Sequence, residues 1–126
     1  MIYGIGTDIV RIERIGAGLD RFGDRFARRV LGDAEWEDFQ RSRQPARFLA
    51  KRFAAKEAAA KAFGTGFSEG IAMRDIVVVH SARGQPQLQF HARAAEFMAE
   101  QAIVAAHLSI SDEDSHAIAF VTLVSA

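Results

Sequence analysis

The chain has 126 residues, 49% of them hydrophobic and 25% charged, and its sixteen basic and sixteen acidic side chains cancel to a formal net charge of zero. That composition predicts one globular domain with its own core. It contains no cysteine, which excludes a disulfide framework and a thiolate zinc site and is compatible with a reducing, cytoplasmic setting. No basic stretch leading into an apolar core opens the chain, and no apolar run approaches the roughly 20 residues that span a bilayer, so neither secretion nor membrane insertion is expected.

In chain order, Ile2 to Val10 reads as a strand rich in β-branched residues. Its two glycines, Gly4 and Gly6, admit another backbone or a ligand at close range. Ile12, Ile15, Leu19, Phe22 and Phe26 recur at helical spacing, and a helix is predicted from about residue 12. Asp33 is placed to cap a short helix containing Trp36 and Phe39. From Ala46 to Phe63 the chain is a run of strong helix formers, with Pro45 at its start and Gly64 at its stop. Beyond Gly64-Thr65-Gly66 short strands take over: Ile76–Val79, then Leu88 and Phe90 alternating with glutamines across a turn at Arg83-Gly84-Gln85. Ala92 to Ala102 returns to helical spacing. His107–Ser111 and Ala117–Val124 close the chain as two strands around a polar turn. Segregated helices and hairpins predict an α+β fold with a mainly antiparallel sheet packed with one long central helix.

Charge is unevenly distributed. Residues 1–63 hold 13 basic and 9 acidic side chains, and residues 64–126 hold 3 and 7. A basic first half suits an acidic partner: a nucleic acid, a phosphorylated ligand or an acidic protein. The acids Asp20, Asp24, Asp33, Glu35, Glu37 and Asp38 interleave with the arginines, which argues against a plain polyphosphate-binding stripe, and few aromatics accompany them. A nucleic-acid partner is therefore not expected.

On the long helix, Phe53, Glu57, Ala60, Lys61 and Gly64 share one stripe. Glu57 and Lys61 should lie at the margin of the core, where a carboxylate and an ammonium suit a metal and a phosphate. Taken alone, an ordinary i,i+4 ion pair explains them better. Asp8 is a charge inside an otherwise apolar strand and must be paired, at an edge or bound to a cation. Either a salt bridge to an arginine or a shared Mg²⁺ with Glu57 satisfies it. Gly4-Ile5-Gly6 lacks the third glycine of a dinucleotide fingerprint, and no Walker sequence is present. The four histidines have no ligand-like spacing.

Together these segments resemble the holo-[acyl-carrier-protein] synthases, the small trimeric class of 4'-phosphopantetheinyl transferases. The pattern G-x-G-x-D-I-V-x-I-x-R-I is matched by Gly4 to Ile15, and F-L-A-x-R-F-A-A-K-E-A-x-x-K-A-x-G-T-G by Phe48 to Gly66 without a break. A G-x-P-x-L hairpin is present at Gly84 to Leu88 and an H-x-S-x-S strand at His107 to Ser111. The resemblance implies that fold and transfer of the 4'-phosphopantetheine arm of coenzyme A to a serine of acyl carrier protein, in support of fatty acid biosynthesis. It implies Asp8 and Glu57 as Mg²⁺ ligands, Glu57 as a candidate base, and Lys61 as the partner of charge on the leaving phosphate. Arg52, Lys56, Gly64, Thr65 and Gly66 match positions associated with coenzyme A. Arg14, Arg21, Arg25 and Arg28 become docking residues for an acidic carrier protein, and a homotrimer with interfacial sites is expected. One departure is Asp112, where many relatives place a histidine.

Overall fold

A computed structural model describes all residues from Met1 to Ala126. The elements are β1 (Ile2–Arg11), α1 (Ile12–Phe22), α2 (Asp24–Val30), α3 (Asp33–Arg41), α4 (Pro45–Phe63), β2 (Ile76–His80), β3 (Pro86–Phe90), α5 (Ala92–Glu100), β4 (Ile103–Asp112) and β5 (His116–Ser125), with a single 3₁₀ turn at Met73–Asp75. Every strand pairing is antiparallel. β1, β5 and β4 form one sheet in that order, and β2 and β3 form a separate hairpin.

α4 lies across the three-stranded sheet, as the alternation of the strands requires. Ala117, Ala119, Val121 and Leu123 of β5 are buried against it, while Ile118 and Phe120 point the other way and are exposed. α4 meets this surface with alanines, including Ala54, Ala58 and Ala62, all fully or almost fully buried. Small residues let the axes come close, and the strand responds in kind. A Cβ on Gly6 would lie 1.9 Å from the carbonyl oxygen of Ala58, and one on Gly4 2.1 Å from that of Ala62. The close neighbour of these glycines is the α4 backbone rather than a ligand.

Proline opens α4 at its first turn, and Gly64 closes it in the left-handed conformation with φ 83°. The Gly64 N–H donates to Lys61 O and the Gly66 N–H to Ala60 O, which satisfies carbonyls that would otherwise be left unpaired. Phe63, at this end, contacts Phe90 of β3 and Phe97 of α5 at ring distances of 5.6 and 5.0 Å. The hairpin and α5 are thereby fastened to the C-terminal end of α4.

Three details differ from the sequence expectation. The helix starting at Ile12 ends at Phe22, because Gly23 takes φ 58° and α2 restarts at Asp24, although the apolar spacing runs on to Phe26. Gly32 is the N-cap of α3 and Asp33 its first residue, the Gly32 N–H donating to the Glu35 carboxylate at 2.9 Å. The closing strands extend beyond their predicted ends, to Ile103–Asp112 and His116–Ser125.

Candidate active site

The register of β1 places Asp8 on the α4 side of the sheet, between the outward-facing Thr7 and Ile9 and opposite Ala119. Helical spacing places Glu57 and Lys61 on the part of α4 that borders this strand. Lys61 Nζ donates to Asp8 Oδ1 at 3.1 Å and to the Thr7 carbonyl at 3.0 Å. The Asp8 side chain is 16% exposed and that of Lys61 53%. Glu57 is half-buried beside them. Burial pushes its carboxyl above the usual carboxylate range, the Asp8 charge pushes it further up, and Lys61 and Arg14 partly offset both.

The family resemblance implies one site for Asp8, Glu57 and Lys61, and the structure brings these three side chains near one another. Two carboxylates whose charges repel in a half-buried notch, with one half-exposed ammonium against them, fit Mg²⁺. The donors are hard oxygens, and a divalent cation would relieve the repulsion that raises Glu57. No cluster of three or more His, Cys, Asp or Glu residues surrounds the position. The remaining ligands would have to be phosphate oxygens and water, which is how Mg²⁺ is usually held.

Arg52 and Lys56 are placed differently. Both turn inward onto Glu35. Lys56 is fully buried, its ammonium donating to Glu35 Oε1 and to the Val30 carbonyl, each at 2.5 Å. Arg52 donates to Glu35 Oε2 at 2.9 Å and to the Val78 carbonyl at 3.3 Å. Burial brings the Lys56 ammonium down to about 8, with Glu35 opposing that fall. In this arrangement the Lys56 ammonium does not reach the surface of the protomer. Arg52 keeps an edge on a cavity of about 290 Å³ that it lines with Lys51, His80 and Asp112. Glu35 had no assigned role in the sequence reading. Its spacing was the available signal, because it stands one turn before Phe39 on the buried face of α3.

In the Gly64-Thr65-Gly66 turn, the N–H groups of both glycines are committed to the α4 cap, and the Thr65 hydroxyl donates to Gly66 O at 2.8 Å. Arg14 and Arg21 project from α1 and Arg25 and Arg28 from α2, all exposed. Arg28 also lies 3.6 Å above the Trp36 ring. Beside these arginines, Phe26, Phe53, Phe67 and Met73 line an open apolar cavity of about 660 Å³ with Arg25, Arg28 and Arg29 among its walls. Asp112, the departure at the end of β4, pairs with Arg47 at 2.8 Å.

The sequence model of the 4'-phosphopantetheinyl transferase superfamily matches residues 4–121. The holo-[acyl-carrier-protein] synthase of Halorhodospira halophila is 54% identical over 124 residues, which cover 98% of each chain. This chain belongs to the holo-[acyl-carrier-protein] synthase family. Its fold agrees: the crystal structure of the Neisseria meningitidis synthase superposes with a TM-score of 0.94 at 43% identity, covering 99% of this chain and all of that one. The Helicobacter pylori synthase, solved in complex with coenzyme A, gives a TM-score of 0.84 at 31% identity over 95% of this chain and 99% of that one. The chain is accordingly an enzyme of the phosphopantetheinyl transferase class.

Proposed function

We propose that this enzyme transfers the 4'-phosphopantetheine arm of coenzyme A to a serine of an apo acyl carrier protein and releases adenosine 3',5'-bisphosphate. The observation that carries this reading is the convergence of Asp8, Glu57 and Lys61 at the β1–α4 contact. The serine oxygen attacks the phosphorus that bears the pantetheine, the bond to the adenosine-side phosphate breaks, and the serine proton leaves to a base. Asp8 and Glu57 would hold Mg²⁺, which when bound neutralises pyrophosphate and polarises the phosphorus. Glu57, whose carboxyl holds its proton more tightly than an exposed glutamate, is suited to receive the serine proton directly or through a water. Lys61 has a half-exposed ammonium, bonded to Asp8 and the Thr7 carbonyl, that can also meet the charge gathering on the leaving phosphate.

The substrates fit the surroundings. The exposed arginines at 14, 21, 25 and 28 offer a positive face to an acidic carrier protein. The neighbouring apolar cavity suits the uncharged part of the pantetheine arm. A homotrimer is supported by the outer face of the three-stranded sheet, where Ile5, Ile9, Ile118 and Phe120 are 41 to 63% exposed. Such a patch favours association, and it shares β1 with Asp8 while lying on the opposite face of the sheet. No helix is long and apolar enough to cross a membrane. The cytoplasm and fatty acid biosynthesis are the proposed setting.

Mass spectrometry of apo carrier protein incubated with coenzyme A and Mg²⁺ tests the reading. Transfer should add the arm's mass to the serine and should cease when the metal is chelated.

A further inference from the structure

We infer that Glu35 is a positioning residue for the transfer chemistry, holding Arg52 and Lys56 from inside the protein and through them the roll of α4 that sets Glu57 against Asp8. The inference rests on the transferase reading of the site. Glu35 is 1% exposed, and each of its oxygens accepts two bonds. Oε1 takes the Gly32 N–H at 2.9 Å and the Lys56 ammonium at 2.5 Å; Oε2 takes Arg52 at 2.9 Å and the Val78 N–H at 3.2 Å. One carboxylate thus joins the start of α3, the strand β2 and two successive turns of α4.

Leu49 and Phe63 anchor α4 near its ends, and between them few long side chains fix its rotation. Between Ala54 and Ala62, the residues facing the protein are alanines apart from Lys56, so the surface toward β1 is smooth. Lys56 is the one long buried side chain of that stretch, and Glu57 follows it by a single residue, about 100° around the helix. A side-chain tip lies about 5–6 Å from the helix axis, so a roll of about 10° moves it by about 1 Å. A misplacement of that size at a reacting centre costs on the order of 100-fold in rate. Stability alone gives weak reason for such a cluster, because well-packed apolar residues of similar volume often replace a buried ion pair at no loss. Every buried side-chain polar atom of the protein is nonetheless satisfied. The cluster therefore acts as a complete directional lock rather than as a stray buried charge.

The test compares Lys56→Met and Glu35→Asp with Ile103→Ala, a core substitution at the start of β4, in the full chain and at a temperature where circular dichroism shows each to be folded. Steady-state transfer to apo carrier protein and calorimetric titration of coenzyme A in Mg²⁺ are measured for all. For both lock variants kcat should fall by about tenfold or more and coenzyme A should bind more weakly, while KM for the carrier protein stays within about twofold, because the arginine face is untouched. Ile103→Ala should keep kcat within about twofold at a comparable loss of melting temperature. Where Lys56→Met does not fold, Glu35→Asp, which keeps the charge and shortens its reach, carries the same comparison. Lock variants that retain kcat and coenzyme A affinity like Ile103→Ala would overturn the inference with the transferase reading intact. A wild-type chain inactive on every carrier protein would instead overturn that reading.

Discussion

The Lys61 ammonium and the Asp8 carboxylate meet at 3.1 Å across the β1–α4 contact, although 53 positions separate them in the chain. The lysine is half exposed and holds the Thr7 carbonyl as well. An ion pair so open to solvent contributes about 0–1 kcal/mol. Lys61→Met should therefore change stability in urea by less than about 1 kcal/mol. The same substitution should lower kcat by about 100-fold on the proposed mechanism, in which its ammonium meets charge that develops in the transition state. Full activity in that variant would reduce Lys61 to a strut between helix and strand.

Glu57 predicts a trade between activity and stability. Its carboxyl is raised by burial and by Asp8, so the folded chain holds this proton more tightly than the unfolded one. The stabilising contribution is complete below the unfolded value of about 4.3 and is lost as pH rises through the folded value, so ionised Glu57 is a burden at pH 7. Glu57→Gln should melt higher than wild type at pH 7, with the gain fading near pH 4, while transfer falls by about 100-fold or more. Scanning calorimetry at the two pH values reads the first effect. In the wild type, metal affinity should weaken on acidification at a higher pH than an ordinary glutamate would give.

Gly6 is predicted to be the least replaceable glycine on β1. Alanine there would put its Cβ 1.9 Å from Ala58 O and 2.7 Å from Ala62 N, both backbone atoms that cannot swing away. Gly6→Ala should cost about 3 kcal/mol or more and force β1, with Asp8, off the helix. Gly23→Ala faces no close atom and meets only the strain of φ 58° with ψ −141°, a conformation outside the left-handed helical region that costs about 1–3 kcal/mol. Equal chemical denaturation midpoints for the two variants would contradict this packing argument.

Charge reversal on the arginine face separates docking from chemistry. Arg21→Glu, at a position outside the apolar cavity, should raise KM for carrier protein several-fold at low salt, with the penalty shrinking as salt screens it. The kcat should change little, because Arg21 does not contact the Asp8 carboxylate. Arg14 is a poorer probe, since its charge also reaches Glu57.

Much of this organisation was legible in the residues. Helix propensity, Pro45 and Gly64 bracketed α4. The lone charge in β1 and the Glu57–Lys61 spacing left an ordinary ion pair open, and only the family resemblance joined Asp8, Glu57 and Lys61 in one site. The break at Gly23 was missed because Ile12, Ile15, Leu19, Phe22 and Phe26 keep helical spacing across it, so apolar periodicity outweighed the glycine. Glu35 was missed because it lies among surface acids in sequence, whereas burial depends on α4 bringing two cations over it from residues 17 and 21 positions away. For the same reason, the sequence shows Arg52 and Lys56 only as matches to positions associated with coenzyme A in the family, and not that both also reach a carboxylate within the chain. The outward apolar row of β1 and β5 is not legible in the residues, because β1 is apolar on both sides and only the packing of α4 on Gly4 and Gly6 decides which face is covered.

The proposed trimer has a direct consequence for that row. Ile5→Lys together with Phe120→Lys should leave the chain folded, because both side chains are exposed on the isolated protomer at 58% and 45%. Sedimentation should then report a smaller species than wild type, with lower transfer activity. An unchanged mass would place the contact between copies elsewhere.

The most direct measurement is the intact mass of apo acyl carrier protein after incubation with this enzyme, coenzyme A and Mg²⁺. Wild type should add one phosphopantetheine arm per carrier protein, and Glu57→Gln and Lys61→Met should add almost none in the same time. No mass gain with wild-type enzyme across several carrier proteins, or equal gain with the two variants, would contradict the assignment of Asp8, Glu57 and Lys61 as the transfer site.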